Sequence, residues 1–260
     1  MELYSEVAGK GPAVALVHEG ICDSRMWDAQ WDTLATRHRV MRVDLRGFGR
    51  TPLEAGRFSN ALDLIDTLER HEFERVALVG VSLGARVALE VAVGRPDLVR
   101  ALVLVASPLP GHEWSDGVRA GWGEEEAALE AGDLDEAVEV NLRMWVDGPG
   151  RAPEEVDSSV RAHVAEMQRR AFELQLPVGD NAEEELLVPD LAERLGEIRV
   201  PTLVLVGAED VPDMHAIADR LAREIPGARH ATIEATAHVP SMERPREFDA
   251  LVLPFLAESA

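Results

Sequence analysis

The chain predicts an α/β protein built on a mostly parallel sheet with helices on both faces. Short, β-branched, nearly continuous apolar runs recur along the 260 residues, and segments of helical period lie between them. Strands apolar on both faces that alternate with helices belong to parallel sheets covered on each side. The runs are Ala13–Val17, Arg39–Asp44, Arg75–Gly80, Ala101–Ala106, Val200–Gly207 and His230–Glu234.

The helical segments follow from spacing. In "ALDLIDTLERHEF" (61–73), Leu62, Ile65, Leu68 and Phe73 recur near i, i+3, i+4. In "MHAIADRLAREIPG" (214–227), Ile217, Leu221 and Ile225 do the same before a Pro226-Gly227 stop. The alternation fails between about Pro108 and Pro189, where only helices are predicted. Two short ones break at Gly132-Asp133. A longer one is opened by Pro153 and carries Val156, Val160, Val164, Met167, Ala171 and Leu174 on one stripe. The expected organisation is a core of residues 1–108 and 188–260 interrupted by a helical insertion, 109–187. The insertion holds three of the five tryptophans, Trp114, Trp122 and Trp145.

Composition narrows the function classes. With 48 acidic against 26 basic side chains the formal charge is -22, which repels phosphate backbones and anionic membrane surfaces. Neither nucleic acid nor membrane is an expected partner. The single cysteine, Cys22, excludes an internal disulfide and a cysteine-cluster metal site. The window Val76–Gly94 is apolar, but Arg86, Glu90 and an early Ser-Leu-Gly make it a strand plus a buried helix instead of a membrane span. "MELYSEVAGKGP" has no apolar leader, so a cytoplasmic location is expected.

The chemistry starts at Gly80-Val81-Ser82-Leu83-Gly84, a G-x-S-x-G between an apolar strand and a helix. Such a turn strains the serine backbone and lifts its hydroxyl clear of the sheet edge, while glycines two residues away avoid collisions. The helix begins there, so the Leu83 amide is free to donate to a developing negative charge. A serine hydroxyl needs a base, and the base a third group to orient it. Asp210, just past the strand of "VLVGAED", is the expected acid, with Glu209 and Asp213 as alternatives. His238, after the last strand in "TAHVPSMERPREF", is the expected base. His71 falls in a helix, and His112, His163 and His215 are expected to be solvated.

"LVHEGICDSRMW", "DLRGFGRT", "LVGVSLGA", "PTLVLVGAED" and "TAHVPSMERPREF", in that order, resemble the α/β-hydrolase superfamily over essentially the whole chain. The resemblance implies an eight-stranded, mostly parallel sheet, a helical cap over its carboxyl edge and a Ser82–Asp210–His238 triad. It also implies that "DLRGFGRT" is a structural loop beside the site. Serine at the turn separates the chain from haloalkane dehalogenases and epoxide hydrolases, which place aspartate there. The implied activity is hydrolysis of a carboxylic ester or lactone with no cofactor or metal, on a small-molecule substrate with an apolar acyl group. Carbon–carbon bond hydrolases, cofactor-free perhydrolases and ligand receptors built on the same triad remain the alternatives.

One departure stands out. His18-Glu19-Gly20-Ile21 carries glutamate where the superfamily usually has glycine. Alignment on Trp27 makes Gly20 the second backbone oxyanion donor beside Leu83, or Ile21 if the loop shifts by one. A carboxylate in that hole would oppose an oxyanion, so the Glu19 side chain is expected to turn away. His18 is expected to brace the loop. Trp114, Trp122, Met144 and Trp145, with Met167 and Phe172, are the expected pocket residues of the insertion.

Overall fold

The computed structural model describes residues 1–259. In chain order the strands are β1 Ser5–Ala8, β2 Ala13–Val17, β3 Arg39–Val43, β4 Gly56–Phe58, β5 Val76–Val81, β6 Val99–Val105, β7 Ala182–Glu184, β8 Thr202–Gly207 and β9 Arg229–Ile233. Helices α1 Asp28–Ala35, α2 Asn60–Arg70 and α3 Leu83–Gly94 join the first strands. Helices α4 Asp116–Glu130, α5 Leu134–Asn141 and α6 Ser158–Gln175 follow β6. Helices α7 Pro212–Glu224, α8 Pro240–Glu243 and α9 Pro245–Glu258 complete the chain.

Seven strands form one sheet in the order β1-β3-β2-β5-β6-β8-β9, parallel except for β1. The expected eighth strand is absent among the described residues. The sheet ends at β1, whose pairing with β3 runs on through the Asp44 N–H to the Tyr4 carbonyl, while the Tyr4 N–H is taken by Thr51 Oγ1; no further strand among these residues pairs with its outer edge. From β2 the chain steps one way to β3, and from β5 the other way to β6. Right-handed crossovers therefore put α1 on the opposite face from α3. The carboxyl ends of β2 and β5 face the crevice where the winding reverses, the usual ligand position in open α/β sheets.

All six residues of β5 are buried, and so is nearly all of α3, which packs on β2, β5 and β6 beneath α2. In α2 the buried stripe is Ala61, Leu64, Ile65 and Leu68; the expected Leu62 points outward, half exposed, because it sits one position off that stripe. The region expected to be purely helical contains one short strand, β7, paired in parallel with β4 outside the main sheet. The last of its helices starts at Ser158 instead of Pro153. Asp157 accepts the Ser159 N–H as N-cap, and extended backbone at Val156 separates a single turn at Pro153–Glu155 from the helix. Among the described residues no helix is long and apolar enough to cross a membrane.

Buried Glu90 fastens α3 to the chain after β7. It pairs with Arg86, accepts the Leu187 N–H at 2.6 Å and reaches the Val188 N–H at 3.4 Å. Arg86 in turn forks onto Glu184 at 2.7 and 2.8 Å. Removing one member of a buried ionic network costs roughly 3–5 kcal/mol, so Glu90→Ala is expected to lower the unfolding free energy by about that amount in a urea titration. A loss within experimental error would contradict the fastening role.

Candidate active site

Ser82 stands between β5 and α3 with φ 48° and ψ -114°, a backbone geometry that non-glycine residues rarely adopt. Holding it costs on the order of 1–3 kcal/mol, supplied by the packing around it. A Cβ on Gly80 would lie 2.4 Å from the Gly84 carbonyl, and one on Gly84 2.3 Å from the Val17 carbonyl. Both positions are therefore closed to any side chain, and α3 is pressed against the end of β2. The Ser82 N–H donates to the Val105 carbonyl at 2.8 Å, which ties the turn to β6. The hydroxyl is half-buried and has no hydrogen-bond partner among the described residues. It opens, together with His238, onto a cavity of about 220 Å³.

His238 is buried on the loop after β9, and its Nδ1 lies 2.8 Å from Asp210 Oδ2. The other Asp210 oxygen accepts the Val211 N–H at 2.8 Å. Burial by itself pushes the imidazole pKa down; the Asp210 carboxylate, aided by Glu19, outweighs it and holds the ring above its ordinary value. Glu209 is not the partner of His238. Asp213 is taken by other groups, accepting the Ser115 N–H at 2.8 Å and facing His112 Nε2 at 3.0 Å. His112 is thus bonded, contrary to the solvated state expected from sequence.

The His238 loop is held by Glu243 and Arg151, for which the sequence predicts no role, and by Trp145, expected only as a pocket residue. Glu243 accepts from the Thr236 hydroxyl at 2.6 Å and the Ala237 N–H at 2.9 Å, and Arg151 covers it at 2.7 Å. A Cβ on Gly207 would lie 2.0 Å from the Ala237 carbonyl, so this loop passes against β8 only because residue 207 has none. The His238 N–H donates to the Trp145 carbonyl at 3.1 Å, and the two rings lie 4.6 Å apart. Trp145 sits in a π-helical turn, Leu142–Asp147, a form frequent at functional sites. Glu243 lies seven residues from Thr236 and six from Ala237, a short-range signal, whereas its contact with Arg151 spans 92 residues and leaves none in the local sequence.

On the β2 side, His18 braces the loop. Its Nε2 accepts the Leu45 N–H at 2.9 Å and its Nδ1 lies 2.6 Å from the Glu19 carbonyl, which fixes a neutral ring that burial also favours. The Gly20 N–H, like those of Ile21 and Leu83, has no partner among the described residues. A Cβ on Gly20 would lie 3.9 Å from Leu83 Cβ, so residues 20 and 83 are neighbours. In "DLRGFGRT", Asp44 accepts the Ser24 N–H at 2.8 Å and the Arg50 N–H at 2.9 Å, a loop-bracing pattern.

Glu19 does not turn away. Its buried carboxyl lines the Ser82 cavity, with Oε2 at 3.7 Å from His238 Nε2 and Oε1 accepting from Cys22 Sγ at 3.0 Å. The reason is local: His18 holds the Glu19 backbone through its carbonyl, and the Cys22 thiol bonds the Glu19 side chain on the inner side. Burial pushes the Glu19 pKa up to about 7, against the opposing pull of His238. Of the expected pocket residues, Trp122 and Trp145 line this cavity, as does Phe172. Trp114 instead packs edge-on against Trp122 at 5.2 Å, and Met144 fills the space over Gly121 and lines a separate pocket. Met167 is buried against the Asp23 N–H. Among the described residues no three His, Cys, Asp or Glu side chains are grouped to hold a metal ion.

Glu19 and His238 both bind a proton more tightly folded than unfolded. The Glu19 share of stability is complete below its ordinary value of 4.5 and lost as the pH rises through about 7. Calorimetry across this range is expected to record a falling Tm, and Glu19→Gln to flatten the fall; an unchanged slope in the variant would contradict the buried placement.

Comparison with known proteins identifies the family and the fold. Residues 14–251 match the Alpha/beta hydrolase family. A pimeloyl-[acyl-carrier protein] methyl ester esterase of Aeromonas hydrophila is 29% identical over 266 residues, covering 98% of this chain and all of that protein (100%). Strigolactone esterase D14 of Arabidopsis thaliana is 25% identical over 257 residues, 94% of this chain and 92% of its own. A hydrolase from Pseudomonas aeruginosa superposes with a TM-score of 0.79 at 28% identity, covering 98% of this chain and 94% of that one. The enol-lactonase from Burkholderia xenovorans shares the fold, with a TM-score of 0.80 at 21% identity over 98% of this chain and 96% of its own. With the strained serine turn, the sheet order and a match spanning most of its length, the chain belongs to the alpha/beta hydrolase family.

Proposed function

We propose that the chain hydrolyses carboxylic esters or lactones through an acyl-enzyme, with Ser82 as nucleophile, His238 as base and Asp210 as the group that orients the imidazole. One observation carries the reading: Ser82 and His238 open on a single cavity while Asp210 is bonded behind His238 at 2.8 Å. The esterase relatives support it. With Nδ1–H held by Asp210, the lone pair of Nε2 faces the cavity and takes the Ser82 proton as Oγ attacks the carbonyl. Hydrogen bonds of this kind often tighten only when substrate binds. The N–H groups of Leu83 and Gly20 hold the tetrahedral oxyanion, with Ile21 as the alternative donor. His238 returns the proton to the leaving alcohol, which stays tethered when the substrate is a lactone. Water then repeats the sequence and releases the acid.

Residues 109–187 act in this reading as a cap on a core of 1–108 and 188–260. In support, α4 contributes Trp122 and Glu125, α5 Asn141, and α6 Gln168 and Phe172 to the cavity wall. The wall is more polar than an apolar acyl group calls for. Apolar lining is found instead in an adjoining groove of about 450 Å³ around Phe48, Leu53, Leu83 and Leu129, which shares Glu125, Phe172 and Gln175 with the cavity. A free buried cysteine suits the reducing cytoplasm, the location assigned here.

The test is turnover of p-nitrophenyl acetate and butyrate. Asp210→Asn is expected to cut kcat on the order of 10⁴-fold while Asp213→Asn stays near wild type. Retention by the first and loss by the second would move the orienting role to Asp213. Because the imidazole is held above its ordinary value, the acid limb of kcat/KM is expected above about pH 6.5 and to move down in Asp210→Asn. An acid limb that ignores this substitution would contradict the pairing.

A further inference from the structure

Four side chains, Glu19, Glu125, Gln168 and Gln175, bring hydrogen-bond acceptors to the cavity beside Ser82. Glu19 Oε2 has no hydrogen-bond partner, because His238 Nε2 at 3.7 Å lies beyond hydrogen-bond reach. Glu125 enters from α4; burial raises its pKa, and the Asn141 amide partly offsets this. Gln168 is only 4% exposed, and its Oε1 is buried with no partner among the described residues. Gln175 turns its amide nitrogen away to the Gly47 carbonyl at 3.1 Å, leaving its oxygen free. No lysine or arginine lines this cavity, and its one potentially cationic group, His238, is already paired with Asp210.

Buried acceptors without donors are costly, and buried carboxylates without a counter-charge more so. A ligand that supplies both donors and positive charge relieves the two at once. A neutral hydroxyl would supply donors only, and a carboxylate would add a third like charge. The volume, about 220 Å³, is below the ~300–1,000 Å³ of pockets for larger ligands, so the charged group and the reacting carbonyl must lie close together. The overall charge of -22 draws cations toward the chain in the same sense.

We propose that this cavity selects short esters or lactones bearing an ammonium group within two carbons of the reacting carbonyl, with Glu19 as counter-ion and Glu125 and Gln168 Oε1 as the acceptors that orient it. The proposal rests on the ester-hydrolase reading and specifies its substrate class. Glu19 is then a specificity residue that replaces the usual glycine of the oxyanion loop. Its negative charge is balanced by the bound ammonium at the moment the oxyanion forms, which removes the conflict between a carboxylate and the hole beside it.

The experiment compares ethyl 3-aminopropanoate, ethyl butanoate and monoethyl succinate near pH 7.5, each kcat/KM divided by that ester's own hydroxide-catalysed rate. The ammonium ester is expected to exceed the neutral isostere at least about tenfold, and the anionic ester by more. Glu19→Gln is expected to bring the ammonium-to-neutral ratio within about threefold of unity, and Gln168→Leu to reduce it. If Glu19→Gln does not fold, Glu125→Gln carries the same comparison. Equal rates for the three esters, or a ratio that ignores these substitutions, would overturn the proposal while leaving ester hydrolysis intact. Calorimetric binding to Ser82→Ala separates the two readings further. Preference for the ammonium ester without turnover by the wild type would sink ester hydrolysis and keep the selectivity; absence of that preference would sink the selectivity.

Discussion

The steric closure of the turn at Ser82 governs most of what surrounds it. Residues 80 and 84 have no room for a Cβ, because the backbone of α3 folds back onto β5 and simultaneously onto the carbonyls that end β2. That double contact fixes the helix start, the positive φ of Ser82 and the path of the His18–Gly20 loop in one arrangement. Any relaxation of the serine backbone would push α3 off the sheet, where its side chains are almost all buried on both sides. The strain is therefore held by burial that no local change can give up cheaply.

The second half of the site is assembled by different means. His238 is not held by a strained turn but by a polar frame: Glu243 gathers the Thr236 hydroxyl, the Ala237 amide and the Arg151 guanidinium, and the Trp145 carbonyl takes the His238 amide. Gly207 lets this loop lie directly on the end of β8, which brings Asp210 under the imidazole. Because Arg151 and Trp145 come from the segment between β6 and β8, that segment both lines the cavity and holds the histidine. Its docking and the imidazole's orientation are mechanically linked.

Electrostatics distinguishes this cavity from a simple apolar slot. Glu19 and Asp210 are both buried within reach of one imidazole, and burial pushes Glu19 up to about 7 whereas Asp210 keeps a short bond to Nδ1. The two carboxylates thus address opposite nitrogens of His238 at 3.7 and 2.8 Å. The nearer one sets the tautomer; the farther one sets the polarity of the space a substrate enters. A glycine at position 19 would remove the second effect without touching the first.

Six of the nine strands, the serine turn and a loop acid that bonds a loop histidine were legible in the chain itself. Each is written in neighbouring residues: apolar runs, glycines at fixed offsets, a loop acid or histidine just past a strand. Less was legible where a choice depended on residues far apart. The sequence left Asp210 and Asp213 open, and only the fold assigns Asp213 to His112 and Ser115. It placed Leu62 on a buried face that lies one position away. It also sent Glu19 outward, because the rule that a carboxylate avoids an oxyanion hole takes no account of Cys22, Glu125 and Gln168, which define the cavity it enters. Periodicity and turn chemistry act between near neighbours and so survive in one dimension. Side-chain direction, pocket polarity and the pairing of charges are set by packing among segments about a hundred residues apart, and only the tertiary structure could decide them.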